Sequence, residues 1–302
     1  MKRKYNVLVM ALLSAMTFTS CEKYDVMGMF INRSDTEDRV NAWLSYNSQN
    51  GEIVIDDVPD NYSFYSSSDS HYNKKIELYG DNDRIYKYIT KNRNDSSAIF
   101  SIIAGDIVGE KGEEAFKIVE KAMAYNSETQ EVDKPCFLVI GNHDIYFDCA
   151  DFYKQYFHTS TYTVTINTRS GMKDLFIFLD SGNGTHGSTQ LEWLEEKLSH
   201  RKDYRYCIVV SHNWMFRTSY DYTSTPCSSL PLEEQYALMD LMSEKEVNMM
   251  LMGHYHRHES HVIGGVHYVM ANNMNEEKET PTYLRVYCGE EIRYQYEELL
   301  SE

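Results

Sequence analysis

Residues 136–144 read CFLVIGNHD, five apolar residues running without a break into Gly141, Asn142, His143 and Asp144. A run this short, rich in branched and aromatic side chains, reads as a strand buried on both faces rather than as a helix. The polar cluster then falls just past the C-terminal end of that strand. The pattern recurs along the chain: SAIFSIIAGD ends at Gly105 and Asp106, DLFIFLDSG at Asp180, YCIVVSHN at Ser211 and His212, and VNMMLMGHYH at Gly253 to His256.

Helical spacing separates several of these runs. Phe116, Val119 and Met123 repeat at i, i+3 and i+7, as do Leu191, Leu194 and Leu198 behind a Thr189/Glu192 capping box. Leu232, Tyr236 and Met239 follow Pro231, which suits a first helical turn. Strands alternating with helices predict an α/β fold with a mainly parallel core. YTVTINT (162–168) and HYVMANNM (267–274) alternate in strand fashion near glycine-containing turns. They are expected as antiparallel strands flanking the parallel ones, giving two mixed sheets. In open α/β sheets the carboxyl edge of the strands is where ligands bind.

The chain opens MKRKYNVLVMALLSAMTFTSC. Lys2, Arg3 and Lys4 precede an apolar stretch from Val7 to Phe18 that is too short to cross a bilayer but suits a secretory signal. Thr19 and Ser20 before Cys21 resemble the lipobox of bacterial lipoproteins, in which the cysteine is acylated. Each buried CH₂ of such an anchor contributes about 0.8 kcal/mol. The expected division is a lipoprotein signal peptide over 1–20, a tether and lead-in over 21–60, and one domain over 61–302. The lead-in holds one short amphipathic stretch, RVNAWLSYN. The protein is thus expected to be exported and lipid-anchored, at a periplasmic or cell-surface face, with the membrane engaged only through acyl chains on Cys21.

The formal net charge of −17 argues against a nucleic-acid partner, which would need clustered Lys and Arg, and against electrostatic binding to anionic lipid. Beyond Cys21 lie Cys136, Cys149, Cys207, Cys227 and Cys288. Cys136 and Cys207 sit in apolar runs and read as small core residues. No CxxC spacing suggests a thiolate metal site. Pairing among Cys149, Cys227 and Cys288 is open in an exported protein.

Candidate ligands occur in a fixed order: Asp69 and His71 in SSSDSH, Asp106 in AGD, Asn142, His143 and Asp144 in GNHD, His212 in VVSH, and His254 and His256 in MGHYH. The order D-x-H, G-D, G-N-H-D, H, G-H-x-H resembles that of the calcineurin-like metallophosphoesterases, from about Tyr62 to the C-terminus. The resemblance implies a sandwich of two mixed β-sheets flanked by helices, and two divalent metal ions (Mn, Fe or Zn). Asp69, His71 and His256 would hold one ion, Asn142, His212 and His254 the other, and Asp106 would bridge them. The implied reaction is hydrolysis of a small phosphodiester or phosphomonoester by a metal-bridging hydroxide. His143 would protonate the leaving oxygen, and Asp144 would orient His143 as a carboxylate does for a catalytic imidazole.

The residue types suit that chemistry. Phosphate esters are anionic and repel an attacking hydroxide, and two cations roughly 3.5–4 Å apart offset this. Oxygen and imidazole donors match Mn, Fe or Zn. Two departures stand out. YSFYSSSD before the D-x-H is unusually polar for a buried strand, and GDIVGE lacks the tyrosine that follows G-D in purple acid phosphatases. No tyrosinate–Fe(III) colour is therefore expected. The competing reading is a non-catalytic cell-surface metal-binding lipoprotein with a relic site; intact His143 and Asp144 argue against it.

Other histidines read more plainly. His186 is either a substrate contact or a solvated loop residue. His200 suits a helix C-terminus, and His158 and His267 read as structural. Arg217 and the tyrosines of RTSYDY are candidate pocket residues, and NEEKE reads as a solvated loop. In an extended chain His254 and His256 would point the same way, since side chains alternate with period two. His258 would continue that periodicity, but the ligand set that the resemblance implies is complete without it, so His258 and His261 are expected as loop residues, with His258 at most meeting substrate.

Overall fold

The computed structural model describes residues 35–72, 83–109, 112–123, 134–216, 230–271, 274 and 281–299. The signal segment, Cys21, Cys227, Arg217 with RTSYDY, and NEEKE lie outside the described residues.

Among the described residues twelve strands form two mixed sheets. The first runs β12 (Ile292–Glu298), β11 (Thr282–Cys288), β2 (Tyr62–Ser67), β3 (Ala98–Ala104), β4 (Cys136–Val139). The second runs β1 (Ile53–Val58), β5 (Tyr162–Thr168), β6 (Lys173–Phe178), β7 (Tyr206–Val210), β8 (Met249–Met252), β10 (Val266–Met270), β9 (Ser260–Ile263). The strands that carry motifs, β2, β3 and β4 in one sheet and β7 and β8 in the other, are parallel within their sheets. Strand β5 is antiparallel to β6, as expected. Strand β10 is not antiparallel to its inner neighbour: it runs parallel to β8 and antiparallel only to β9.

Period-two burial explains the layers. Phe176 and Phe178, Ile208 and Val210, and Met249 and Leu251 face inward and meet Phe64, Phe100, Ile102 and Phe137 of the other sheet. Phe100 stacks on Phe64 at 5.0 Å and meets Phe176 edge-on at 5.1 Å. Their strand neighbours Ile177, Val209 and Met250 face outward onto helices α5 (Ser188–Ser199) and α6 (Leu232–Glu244). The outer face of the smaller sheet is covered by α1 (Thr36–Asn50), α2 (Asp83–Asn94), α3 (Glu113–Met123) and α4 (Cys149–Phe157). No described helix is long and apolar enough to cross a membrane.

The polar β2 is buried along its whole length, because it lies inside the smaller sheet between β11 and β3. The segment read as lead-in folds, from Asp35 on, into α1 and β1, and both belong to the body of the domain. Helix α6 buries Gln235, Leu238 and Met242, while Leu232 and Tyr236 are exposed. Met239, the third residue of that spacing, packs partly buried against the core. Helix α5 begins after Gly187 with no side-chain cap of its own. Its first N–H groups, on Ser188 and Thr189, donate instead to the carboxylate of Glu37 on α1. Cys136, Cys207 and Cys288 are free thiols, so no disulfide joins Cys149 to Cys288.

Candidate metal centre

Each candidate metal ligand lies two to four residues beyond a strand end, at the carboxyl edge shared by the two sheets. The local backbone there is unusual. Asp69, His71, Asp106, His254 and His256 all have positive φ, between 40° and 79°, a region that side chains other than Gly enter only at a cost. Positive-φ residues cluster in this site because the chain must turn its donors inward immediately after each strand. His254 and His256 therefore do not converge by extended period-two geometry: their left-handed backbone turns them.

Two motif glycines are required by crowding. A Cβ on Gly141 would lie 2.2 Å from the backbone nitrogen and Oδ1 of Asp106. One on Gly253 would lie 2.6 Å from Ser68 and 2.7 Å from Asp69 Oδ2. At Gly253 a turn of the smaller sheet occupies the space that a side chain on the larger one would need, and at Gly141 the neighbouring turn of the same sheet does so.

The donors converge in three overlapping groups, each with its ligand atoms within 4.8 Å of one another: Asp69, His71 and His256; Asp106, His212 and His254; and His71, Asp106 and His143. His256 Nε2 lies 3.1 Å from Asp69 Oδ1 and 3.3 Å from His71 Nε2. Asp106 Oδ2 lies 3.8 Å from His71 Nε2 and 3.3 Å from His212 Nε2. Asp106 thus faces both sets. Asn142 Oδ1 lies 3.1 Å from His212 Nε2, and its amide nitrogen donates to Tyr146 Oη at 2.9 Å, which fixes the oxygen toward the site. His212 Nδ1 donates to the Ala104 carbonyl at 2.8 Å, which leaves Nε2 turned inward.

The electrostatics are those of a cation site. Burial alone would raise Asp106, but His212, His143 and His71 hold its carboxyl well below the usual range. Burial opposes the charged form of His212, yet Asp106 carries that imidazole up to about 10. Burial, reinforced by neighbouring imidazoles, pushes His71 down to about 3 and His254 down to about 4, so both remain neutral donors at ordinary pH. Buried carboxylates and imidazoles converge from two sides with one carboxylate shared, His71 and His254 already neutral and His212 able to give up its proton to a cation, and this donor set fits a divalent-metal centre.

His143 sits at the rim, half-buried. Its backbone N–H donates to Asp106 Oδ1 at 2.8 Å, and its ring lies edge-on to His71 with centroids 4.6 Å apart. Asp144 does not take the place expected beside that ring. Its buried carboxylate accepts from the backbone N–H groups of Ile107, Val108 and Gly141, each at 2.9 Å. Burial, then the nearby Asp106 carboxylate, push its carboxyl up to about 7 against those donors. Asp144 thus ties the GNHD turn to the G-D turn through its carboxylate.

Several supporting residues were not legible in advance. His186 is fully buried, not a solvated loop residue. Tyr146, four residues past Asn142, is the only one with a local spacing that could have flagged it. Arg39 and Asp180 form a buried ion pair beneath the 180–187 loop. His258 bonds Thr282 at 2.8 Å and stacks on Tyr296 at 4.0 Å, which makes it a structural residue of the loop. His261 pairs with Glu259 at 2.9 Å on exposed β9.

A sequence profile described as Calcineurin-like phosphoesterase matches residues 63–258. No protein among the curated ones matches the chain. Among solved structures it is similar to a dimetal phosphatase from Danio rerio, with a TM-score of 0.60 at 11% identity over 80% of this chain and 97% of that one. It is similar to GAP50, described as the anchor in the inner membrane complex of Plasmodium, with a TM-score of 0.59 at 15% identity over 80% and 85% of the two chains. It is also similar to purple acid phosphatase PPD1 from yellow lupin seeds, with a TM-score of 0.57 at 12% identity over 80% of this chain and 52% of that one. The profile spans the ligand set from the strand before Asp69 to past His256, and the chain belongs to the calcineurin-like phosphoesterase family.

Proposed function

We propose that the chain is a binuclear-metal-dependent phosphoesterase that hydrolyses a small phosphodiester or phosphomonoester. The observation that carries this is the sharing of Asp106 between two donor groups, with the half-buried His143 beside Asp106 and His71. Asp69, His71 and His256 would hold one ion, and Asn142, His212 and His254 the other. When bound, the ions supply Lewis acidity toward the phosphoryl oxygens and bring water toward ionisation near neutral pH.

The remaining work falls to side chains of this chain. His143 gives a proton from its ring nitrogen to the leaving ester oxygen. Asp106 holds the backbone of His143 through Oδ1 and turns Oδ2 toward His71 and His212, so one carboxylate sets the acid relative to the metal pocket. Asp144 fixes the two loops that carry them. The acidic chain around a metal-charged pocket favours a small ester over a polyanion. The opening sequence supports export and retention at a membrane through acyl chains on Cys21.

The competing reading, a metal-binding surface protein without turnover, draws on the fold being shared with a protein described as an anchor. Fold alone does not choose between the two; His143 favours the enzyme, because a purely structural site has no use for an acid at its rim. The test is Mn²⁺-loaded protein assayed on bis(p-nitrophenyl) phosphate and p-nitrophenyl phosphate. Turnover of either ester supports the proposal. Two bound ions with no turnover of either would support the binding protein.

A further inference from the structure

Two buried side chains on the 180–187 loop, Ser181 and His186, take no part in the reaction described above. The His186 ring joins two elements. Its Nδ1 lies 2.7 Å from Glu234 Oε1 in the first turn of α6, and its Nε2 lies 3.0 Å from Ser211 Oγ at the end of β7. A carboxylate only accepts, so Nδ1 donates to Glu234, and Nε2 shares the second hydrogen bond with the Ser211 hydroxyl. Ser211 Oγ lies 2.9 Å from Ser181 Oγ. Ser181 Oγ in turn accepts from the backbone N–H of His212 at 3.2 Å and of Asn213 at 3.0 Å.

Carboxylate, imidazole and hydroxyl thus stand in the order of a nucleophilic triad. Ser211 and His186 have no exposed surface, however, and the chain of bonds leads to the backbone of a metal ligand rather than to a cleft. We propose that His186 is a positioning residue for His212, acting through Ser211 and Ser181 to fix the end of β7, so that His212 presents Nε2 to the ion it shares with Asn142 and His254. The inference rests on the binuclear reading.

The other clamp on His212 is already defined: its Nδ1 donates to Ala104, on the opposite sheet. A ring held at Nδ1 by one sheet needs its own backbone held by the other, or it swings with the strand end. Gly253 N–H holds the His212 carbonyl at 2.8 Å and Ser181 holds its N–H, and His186 with Glu234 keeps Ser211 and the loop in register with it. Thr185 Oγ1 adds a further bond to Glu234 Oε2, at 2.6 Å, which locks the loop to α6.

The experiment is calorimetric titration of Mn²⁺ alone into the metal-free full chain, for wild type, His186→Ala, Glu234→Ala and Glu234→Gln, with thermal unfolding of each metal-free protein alongside. Wild type takes up two ions. In His186→Ala and Glu234→Ala one of the two binding steps weakens by about 10–100-fold, the usual effect of losing a group that orients a metal ligand. Glu234→Gln, which keeps an acceptor for Nδ1, restores much of that affinity relative to Glu234→Ala. If His186→Ala does not fold, Ser181→Ala, which removes only the hydroxyl that holds His212, gives the same one-step loss. Both steps unchanged in the variants, with only the unfolding temperature lowered, would make His186 a packing residue and overturn the proposal while leaving the enzyme reading intact. A wild-type chain that takes up fewer than two ions would overturn both.

Discussion

Arg39 on the first helix and Asp180 at the end of β6, 141 residues apart in sequence, form a bidentate ion pair: Nε to Oδ2 and Nη2 to Oδ1, both at 2.8 Å. Trp43 Nε1 and the Gly182 N–H donate to the same carboxylate, at 3.0 Å each. The pair anchors α1 to the loop that carries Ser181 and His186.

Removing one partner strands a buried charge. Arg39→Met and Asp180→Asn are each expected to destabilise the protein by about 3–5 kcal/mol, the range for breaking a buried pair. The double variant costs less than the sum, because no unpaired charge is left. Urea denaturation of the four proteins measures this; a strictly additive result would mean that the residues do not act as a pair.

The same pair has a pH signature. Burial alone would raise Asp180, but Arg39, Trp43 and the Gly182 N–H hold its carboxyl below the ordinary value. A lowered carboxyl contributes stability that is fully present above its unfolded pKa of about 4 and is lost as pH falls through the folded value. The stability gap between wild type and Asp180→Asn should therefore be constant from pH 7 to 5 and narrow below about pH 4. A gap that widens on acidification would reverse the assignment.

Asp144 separates two roles. As the acceptor for Ile107, Val108 and Gly141 N–H it holds both motif turns. Asp144→Asn puts an amide NH₂ among these donors. Each unsatisfied group costs about 1–3 kcal/mol, so metal affinity and stability should fall together. If the variant instead keeps both metals and stability while its pH–rate profile shifts, Asp144 acts on His143 after all.

Strands β4, β7 and β8 and their polar ends were legible because each is buried and reads as an unbroken apolar run, whereas β2 is buried but polar in sequence and was placed by its motif. The ligand order was legible because each donor follows its strand within four residues. The rest depends on partners far apart in the chain. Nothing near Arg39 or Glu37 announces Asp180 or Ser188, which lie 141 and 151 residues away. His186 sits in a glycine-rich loop that looks solvated until α6 closes over it with Glu234. His256 lies with Asp69 and His71, and His254 with Asp106 and His212, but positive φ rather than strand alternation turns them.

His143 at the rim should be separable from the ligands. His143→Ala is expected to bind two ions with unchanged affinity while turnover falls by about 10²–10⁴, the usual contribution of a positioned acid. Metal analysis beside a steady-state assay checks it; loss of one ion would make His143 a ligand, as its proximity to His71 and Asp106 allows.

The most direct measurement uses the shared carboxylate. Wild type and Asp106→Asn are titrated with Mn²⁺ while bound metal and hydrolysis of the two nitrophenyl esters are followed in parallel. Wild type should gain activity toward at least one ester as the second equivalent binds, and Asp106→Asn should lose both tight binding of two ions and that activity. Wild type that fills with two ions and hydrolyses neither, or Asp106→Asn that retains both ions and full turnover, would contradict a binuclear phosphoesterase built around Asp106.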